Sequence, residues 1–373
     1  MDRLYGNIRN AFVGTVTPYY VKSEEDGYFY LESNNIKEGQ INRNTEVFIN
    51  EEFYKKQIDK LLHTGDLVMV QSGHVGHTAV IPRELDGIAA HALIMFQKPI
   101  GKTDPYFINY QLQTRDSKKK LDYITTGNTI KHILASEMKQ YVVNVPVIEE
   151  QNVISDFFHI LDNLITLHKR KLDSLKQLKK GYLQNMFPHK GKSVPKIRFV
   201  GFADGWETKK LGDVIESELK GKAKAEMCGS ESAYLDANYL NGGKISYVDS
   251  PTNVNSDDVL ILWDGSQAGT VYYGFEGALG STLKAYRPKY SGAFLYQQLK
   301  KSQQKIYDSY RTPNIPHVVK TFTDEFVISV STLPEQIIIG DLFHNLDNQI
   351  NTQKTKMNQL KQLKSAYLQK MFV

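Results

Sequence analysis

Residues 150–187 read EQNVISDFFHILDNLITLHKRKLDSLKQLKKGYLQNMF, and residues 335–372 read EQIIIGDLFHNLDNQINTQKTKMNQLKQLKSAYLQKMF. The two stretches align without a gap at a constant offset of 185 residues, and 22 of the 38 aligned positions are identical. Self-similarity at a fixed distance indicates a duplicated structural unit, which decides the fold. The chain is therefore predicted to have the order domain, helix, domain, helix.

Both copies are predicted to be long helices, about 55 Å each at the rise of an α-helix. Apolar residues recur in alternating steps of three and four, which is the seam of a coiled coil, and polar residues interrupt this seam at His168, Lys179, Gln353 and Lys364. We expect the two copies to pair in antiparallel fashion; packing of each helix only on its neighbouring domain is the alternative. The predicted packing residues are Ile154, Phe158, Leu161, Ile165, Leu172 and Leu175 in the first copy, and Ile339, Phe343, Leu346, Ile350, Met357 and Leu360 in the second.

The globular parts repeat more weakly. Residues 65–81 and 257–273 each read as a buried apolar strand, a turn with glycine and a second strand. Residues 126–132 resemble 312–317, and a short strand is predicted after each, over 141–147 in the first case. The domains are expected to be mixed α/β (α+β) with much antiparallel strand and with helices such as 105–121 and 292–308.

The duplication is incomplete at its start. Residues 206–214 read WETKKLGDV, but the chain near residue 2 does not match them, so the first domain is expected to lack its opening strand. The predicted boundaries are 1–146 for the first domain, 147–187 for the first long helix, 188–205 for a basic linker, 206–331 for the second domain and 332–373 for the second long helix.

Composition points to an ordinary globular protein of the cytoplasm. The 373 residues include one cysteine, Cys228, so no internal disulfide is possible, which suits a reducing compartment. No signal peptide and no apolar run of about 18 residues are found, so no membrane contact is expected. Residues 169–198 carry ten Lys or Arg against one acid, and 354–370 carry five Lys and no acid. Such runs attract phosphate backbones, although solvated helix faces explain them equally well.

No catalytic motif is found. Asp104-Pro105-Tyr106-Phe107 lacks the second proline of an adenine methyltransferase motif and is better explained as a helix start. The phosphate-binding loop of an ATPase motor and the glycine fingerprint of dinucleotide sites are both missing. His74, His77 and His91 lack nearby ligands at workable spacing, so no metal site is predicted.

The duplicated EQ…F-H-x-L-D-N…L-K-Q-L-K…Y-L-Q-x-M-F pattern and the WETKKLGDV segment resemble the specificity subunit of type I restriction–modification systems. The resemblance implies two target recognition domains separated by two long helices that form an antiparallel coiled coil, with a pseudo-two-fold internal repeat. It implies that the chain binds double-stranded DNA at a bipartite site and directs adenine methylation and restriction. It further implies two methyltransferase subunits and motor-nuclease subunits as partners, with S-adenosylmethionine, ATP and Mg²⁺ bound by those partners and no cofactor bound by this chain. Any base flipping belongs to the methyltransferase.

Base recognition needs side chains with paired donors and acceptors, and loops on a rigid scaffold are where these usually lie. Lys131, Arg311 and the stretch 190–198 are predicted to contact phosphates rather than bases. Matched residues such as Asn34 and Asn238 are better explained as turn formers, because the same residue does not encode different half-sites. The predicted DNA-binding residues are Asn35, Gln71, Ser72, His74, His77, Thr126, Asn128, Lys131, His132, Lys190, Lys192, Lys196, Arg198, Tyr239, Ser266, Gln267, Arg311, Asn314 and His317.

Two other functions remain open from the sequence. One is a coiled-coil scaffold or adaptor with two ligand-binding domains and no DNA role, which predicts little salt sensitivity of binding. The other is a degenerate subunit whose first domain is impaired by the missing strand. A two-fold pair of recognition domains instead matches the dyad of duplex DNA, with about one helical turn between half-site centres.

Overall fold

In the computed structural model of the chain, the structure describes residues 1–126 and 131–372, and the chain divides into two compact units. Unit 1 comprises Met1–Leu167 with Lys356–Val373, and unit 2 comprises His168–Thr355. Each unit therefore contains one globular part, the first part of one long helix and the last part of the other.

Unit 1 is built on a four-stranded antiparallel sheet in the order β1-β10-β7-β8, beside a second sheet in the order β2-β6-β3-β9 and a small β4-β5 hairpin. Its strands are β1 (Tyr5–Asn10), β2 (Tyr20–Val21), β3 (Tyr28–Leu31), β4 (Ile36–Lys37), β5 (Gln40–Ile41), β6 (Phe48–Ile49), β7 (Leu67–Val70), β8 (Thr78–Val80), β9 (Ala89–Ala90) and β10 (Leu93–Pro99). Its helices are α1 (Glu51–Lys55), α2 (Pro105–Leu112), α3 (Arg115–Ile124), α4 (Ala135–Gln140) and the first part of α5 (Ile148–Asn185).

Unit 2 repeats the four-stranded antiparallel sheet, here in the order β12-β18-β15-β16, and adds a β14-β13-β17 sheet and a two-stranded β11-β19 sheet. Its strands are β11 (Glu207–Lys210), β12 (Ile215–Lys220), β13 (Cys228–Leu235), β14 (Tyr247–Val248), β15 (Val259–Leu262), β16 (Val271–Tyr272), β17 (Ala278–Leu279), β18 (Leu283–Pro288) and β19 (Val327–Val330). Its helices are the last part of α5, α6 (Ala237–Leu240), α7 (Gly292–Lys301), α8 (Gln303–Ser309), α9 (Phe322–Glu325) and the first part of α10 (Leu333–Lys370).

The four-stranded sheet of each unit lies between two apolar cores. In β7, Leu67 and Met69 join the core that contains the long helices, while Val68 and Val70 join the core on the other face. This follows from the two-residue period of a strand. Residues of β15 alternate between two cores in the same way. Because both faces are covered, these strands are continuous apolar runs rather than alternating ones.

The mixed α/β repeat and the two strand-turn-strand segments are confirmed, but two local predictions are wrong. The helices predicted over 105–121 and 292–308 are each broken into two, α2 with α3 and α7 with α8; at the first break the Thr114 hydroxyl accepts the Ser117 backbone N–H (3.1 Å) and caps α3. Residues 141–147 form no strand, because the described part of unit 1 contains no counterpart of β11 with which they could pair.

The two long helices pair in antiparallel fashion, as predicted. Within unit 1, Phe157 of α5 contacts Tyr367 of α10 (ring centroids 5.1 Å apart), and the later residue Asp162 contacts the earlier residue Lys364. The alternative of packing only on a domain is wrong, but each helix also enters a globular core, through Phe158 in unit 1 and Phe343 in unit 2. All twelve predicted packing residues are buried or half-buried: Ile154, Phe158, Leu161, Ile165, Leu172, Leu175, Ile339, Phe343, Leu346, Ile350, Met357 and Leu360.

Candidate nucleic-acid interface

The two lysines that interrupt the seam form ion pairs. In unit 2, Lys179 Nζ donates to both carboxylate oxygens of Asp347 (2.6 and 2.8 Å). In unit 1, Lys364 Nζ donates to both oxygens of Asp162 (2.6 and 2.9 Å). At the repeat offset of 185, Asp162 corresponds to Asp347 and Lys179 corresponds to Lys364. The two ion pairs are therefore equivalent under the repeat. Hydrogen-bonded pairs of this kind fix the register of the two helices.

Each of these carboxylates also anchors its globular part. The Tyr110 hydroxyl of α2 donates to Asp162 (3.0 Å), and Gln297 Nε2 of α7 donates to Asp347 (3.0 Å). Burial raises the pKa of Tyr110, and the Asp162 charge raises it further, so the hydroxyl stays protonated and can donate. The register of the helices and the seating of each globular part therefore depend on the same two carboxylates.

A third polar layer joins a residue to its own counterpart. His168 Nδ1 lies 2.6 Å from the Gln353 side-chain oxygen, and 168 + 185 = 353. Both residues belong to unit 2. This contact requires the imidazole to carry a proton on Nδ1, so that the ring donates and the amide oxygen accepts.

In unit 1, two of the segments predicted to contact DNA lie side by side. The turn between β7 and β8 contains Gly73 and Gly76, both with positive φ (78° and 81°), which glycine adopts without strain. Ser72 and His132 form an antiparallel bridge, and the Ile133 N–H donates to the Gln71 carbonyl (3.0 Å). We call the turn 71–77, together with Thr126, Lys131 and His132, the first loop pair. The predicted contact Asn128 lies outside the described residues.

Unit 2 brings together the corresponding segments. Asp264 and His317 form an antiparallel bridge, and the Gly265 N–H donates to the Pro316 carbonyl (2.9 Å). Arg311 donates to the Ser266 carbonyl (3.2 Å) and its guanidinium lies 5.2 Å from the centre of the Tyr307 ring. We call the turn 264–270 and the segment 311–318 the second loop pair.

The loop pairs present polar side chains to solvent while their backbones are held by these bridges. The side-chain oxygen of Gln71 is buried and has no hydrogen-bond partner among the described residues. Among the predicted contacts, His74, Thr126, Lys131, Ser266, Gln267 and Asn314 are exposed, whereas Gln71, Ser72, His77, His132, Arg311 and His317 are half-buried.

The sequence model of a family described as the type I restriction modification DNA specificity domain matches residues 13–177 and 203–362. This chain belongs to that family. Each match contains one loop pair and most of one long helix. The specificity subunit of the type I restriction enzyme MjaVIII from Methanocaldococcus jannaschii is 32% identical over 180 residues, which are 45% of this chain and 42% of that protein.

Two further similarities extend over more of the chain. The putative type I restriction enzyme MjaX specificity subunit of the same organism is 21% identical over 314 residues, 79% of this chain and 74% of that protein. The crystal structure of a type I restriction–modification S subunit from M. genitalium has a TM-score of 0.68 at 15% identity and covers 98% of this chain and 96% of that one, which establishes the shared fold.

Two predicted contacts of this specificity-family chain have structural roles instead. Asn35 is 1% exposed: its side-chain oxygen accepts the Glu32 N–H (2.9 Å) and its nitrogen donates to the Asn42 and Thr45 carbonyls. These bonds use both amide hydrogens and one lone pair of the oxygen, and the side chain is buried, so Asn35 shapes its own turn in place of the predicted DNA contact. Tyr239 is half-buried against Phe275, with ring centroids 5.7 Å apart, and is not part of the second loop pair.

The basic linker divides into exposed and internal cations. Lys190, Lys192 and Lys196 are exposed. Arg198 instead forms a bidentate pair with Glu335 (2.7 and 2.8 Å), whose side chain is fully buried. The prediction that Arg198 contacts phosphate is therefore wrong, because its guanidinium neutralises a buried carboxylate inside unit 2.

Basic side chains near the first loop pair were not among the predicted contacts, although a helix over these residues was predicted. Helix α3 carries Arg115 and the run Lys118–Lys120, all exposed. Asp122 of this helix lies 3.9 Å from Lys131 of the loop pair. The three consecutive lysines are visible in the sequence. The sequence does not indicate, however, which residues lie next to them in the fold.

Other kinds of site have little support among the described residues. No group of three or more His, Cys, Asp or Glu side chains is arranged to hold a metal ion there; His74 and His77 are neighbours, with ring centroids 5.8 Å apart. Asp104 caps α2 by accepting the Tyr106 N–H (2.9 Å), as expected for a helix start. In residues 1–126 and 131–372, no helix combines the length with the apolar character that crossing a bilayer requires.

Proposed function

We propose that this chain is the DNA-binding specificity subunit of a type I restriction–modification complex and that it recognises a bipartite target. One observation carries the proposal: each half of the repeat presents the same loop pair on the same sheet, yet with different polar side chains. In the two turns, Gln71, Ser72 and His74 stand where the second half has Trp263, Asp264 and Ser266. An equivalent frame with unlike donors and acceptors is what a target with two unlike half-sites requires.

Cations of both units supply the phosphate contacts. Lys131 and Arg311 belong to the loop pairs themselves, and Lys190, Lys192 and Lys196 extend the positive charge of unit 2. Such contacts position the protein on the duplex, whereas Gln71, Gln267 and Asn314 have the amide groups suited to adenine.

Catalysis belongs to other subunits in this proposal. Two methyltransferase subunits, which bind S-adenosylmethionine, and motor-nuclease subunits, which bind ATP and Mg²⁺, act on the DNA that this chain selects in the cytoplasm. The chain itself supplies recognition and spacing. The scaffold alternative is disfavoured by the match of both halves to a DNA specificity family. The packed core and intact loop pair of unit 1 disfavour the degenerate alternative.

The decisive experiment is methylome sequencing of a host that carries this chain with its methyltransferase subunit. We expect methyladenine on both strands of one split sequence. Replacing residues 1–140 by the same domain of a relative should then change one half-site and leave the other unchanged. A change in both half-sites, or methylation without any split motif, contradicts the proposal.

A binding measurement separates DNA recognition from scaffolding without any partner. The purified chain should bind duplex DNA with an affinity that falls steeply with salt, and Lys190→Glu/Lys192→Glu/Lys196→Glu should flatten that dependence by about 0.9 in log–log slope for each phosphate that is no longer neutralised. The variant Lys209→Glu is the control, because Lys209 is already paired with Glu207 (2.9 Å). An affinity that does not change with salt concentration supports the scaffold alternative instead.

A further inference from the structure

Unit 1 contains a cleft of about 580 Å³ whose counterpart in the described part of unit 2 is filled by side chains. The cleft lies between α3, the turn before β8, the turn between β4 and β5, and the segments of α5 and α10 that belong to unit 1. Clefts of about 300–1,000 Å³ are the usual size of small-ligand sites. His77 belongs both to this wall and to the first loop pair.

Four of the eight Asp, Glu, Lys and Arg side chains that line the cleft are cations without an ion-pair partner among the described residues. Arg115, Lys118, Lys119 and Lys361 line it, and within the described residues none of the four has a carboxylate oxygen within 4.0 Å of its nitrogens. The buried acid of the wall, Asp162, is already neutralised by Lys364 and Tyr110.

Two exposed acids, Glu38 and Asp122, also line the cleft, and Asp122 faces Lys131 at 3.9 Å. Among the described residues, the cleft thus has four cations without a carboxylate neighbour and two exposed acids. One of these acids, Asp122, already has Lys131 nearby. The electrostatic balance favours an anion.

In unit 2 the corresponding space is occupied by residues of α8. Gln303 donates to the Gly269 carbonyl (2.6 Å) and accepts the Val271 N–H (3.2 Å), and the Tyr307 hydroxyl bonds Thr270 (2.7 Å). Ile306 is fully buried there. Helix α8 is thus hydrogen-bonded to the turn that corresponds to 76–78. Helix α3 contacts its turn through Leu121, which lies beside Gly76, while Lys118, Lys119 and Asp122 of the same helix line the open cleft.

We propose that the cleft of unit 1 binds a phosphate-bearing ligand of nucleotide size. The four cations recognise the phosphate, Ser365 and Gln369 offer neutral hydrogen-bonding groups, and the apolar surface of Leu368 contacts the rest of the ligand. The phosphate comes either from a free nucleotide or from a phosphodiester of DNA bound at the adjoining loop pair. The proposal of a free nucleotide as ligand does not depend on the proposed function, whereas the proposal of a DNA phosphodiester rests on it.

The experiment uses the full chain and two matched charge reversals. Lys361→Glu changes the cleft, and Lys176→Glu changes the repeat counterpart of that residue (176 + 185 = 361) in unit 2. Lys118→Glu is the second cleft variant, so that an effect does not rest on α10 alone. Binding of AMP, ATP and inorganic phosphate is measured by calorimetry, and binding of duplex DNA is measured over a range of salt concentrations, with circular dichroism to establish folding.

Two results support the proposal and identify the source of the phosphate. If AMP or ATP binds and both cleft variants weaken it by about tenfold or more while Lys176→Glu does not, the ligand is a free nucleotide. If nucleotides do not bind but each cleft variant lowers the salt slope of duplex binding by about 0.9 relative to Lys176→Glu, the ligand is a DNA phosphate. If folded cleft variants behave as Lys176→Glu does toward both probes, the proposal is overturned.

Discussion

The two units share a four-stranded sheet and a loop pair, but they differ around the helix start that each contains. Helix α5 begins in unit 1, and helix α10 begins in unit 2. In unit 2, Trp206 and the β11-β19 sheet join the core, and Arg198 neutralises the buried Glu335 near the start of α10. In unit 1 the counterpart of Glu335 is Glu150, which is exposed at the start of α5. The ion pairs between the long helices are present in both units. The contacts between the two long helices are therefore the same in both units, whereas the residues that cover each helix start differ.

The largest expected effect tests that difference at Arg198. Arg198→Met leaves the fully buried Glu335 without its counter-ion, so the free energy of unfolding of unit 2 should fall by about 3 kcal/mol or more. Both tryptophans of the chain, Trp206 and Trp263, belong to unit 2, so urea unfolding followed by tryptophan fluorescence reports this unit selectively.

The matched control for Arg198 is Glu150→Gln in unit 1. Because Glu150 is exposed, this substitution should change stability by less than about 0.5 kcal/mol. The double variant Arg198→Met/Glu335→Gln should recover most of the loss, since no buried charge remains. Equal costs for Arg198→Met and Glu150→Gln would show that the two helix starts are stabilised in the same way.

The next effect compares the repeated ion pair in its two settings. Lys364 and Asp162 are 11% and 9% exposed, whereas Lys179 and Asp347 are 14% and 29% exposed. Lys364→Met should therefore cost about 3 kcal/mol and Lys179→Met about 1 kcal/mol, because water screens and solvates the abandoned Asp347 better.

The two ion-pair variants need different probes. Tryptophan fluorescence follows Lys179→Met, and hydrogen exchange of the α2 amides, which carry Tyr110, follows Lys364→Met. Lys364→Met/Asp162→Asn serves as the control that removes both charges. If the two single variants cost the same, burial does not decide the strength of this pair.

Periodicity predicted the features that depend on local spacing. The seam residues around Phe158 and Phe343, the antiparallel helices and the strand-turn-strand segments all follow from the spacing of apolar residues and glycines. The duplication then predicted that both loop pairs occur, because matched segments must occupy matched places in the two units.

Features that depend on distant partners were not predictable in this way. Arg198 and Glu335 are 137 residues apart, so the charge of Arg198 reads as a surface cation in the sequence. Asn35 looks like any loop amide until its carbonyl partners at Asn42 and Thr45 are in place. The strand expected over 141–147 has the right composition but no partner strand among the described residues. The cleft arises because unit 1 lacks the filling side chains of unit 2, and no pattern marks such a difference.

A smaller effect compares the glycines that face the cleft and its filled counterpart. Gly76 and Gly269 both have positive φ (81° and 94°), so alanine costs about 1 kcal/mol in backbone strain at either. A Cβ on Gly269 would lie 2.9 Å from Ile306 Cγ2, a buried side chain, whereas a Cβ on Gly76 would lie 3.3 Å from Leu121 Cδ1 beside the open cleft. Gly269→Ala should therefore destabilise more than Gly76→Ala, as differential calorimetry can measure. An equal loss would mean that the space around Gly76 is as tightly packed as that around Gly269.

The smallest effect concerns His77, which has no histidine counterpart in unit 2. Burial lowers the pKa of His77 below its ordinary value of 6.5, and the charges of His74 and Lys118 lower it further, against weaker opposing effects of the Ile36 backbone and Glu38. The unfolded chain therefore takes up a proton more readily than the folded one, so the free energy of unfolding is unaffected above about pH 6.5 and falls as the pH drops below that value. His77→Gln should reduce this acid sensitivity by a few tenths of a kcal/mol, because the group is only partly buried. Urea unfolding of unit 1, followed by hydrogen exchange at pH 7 and pH 5.5, measures the difference. If His77→Gln leaves the pH dependence of unit 1 unchanged, His77 takes up its proton equally well in the folded and unfolded chain.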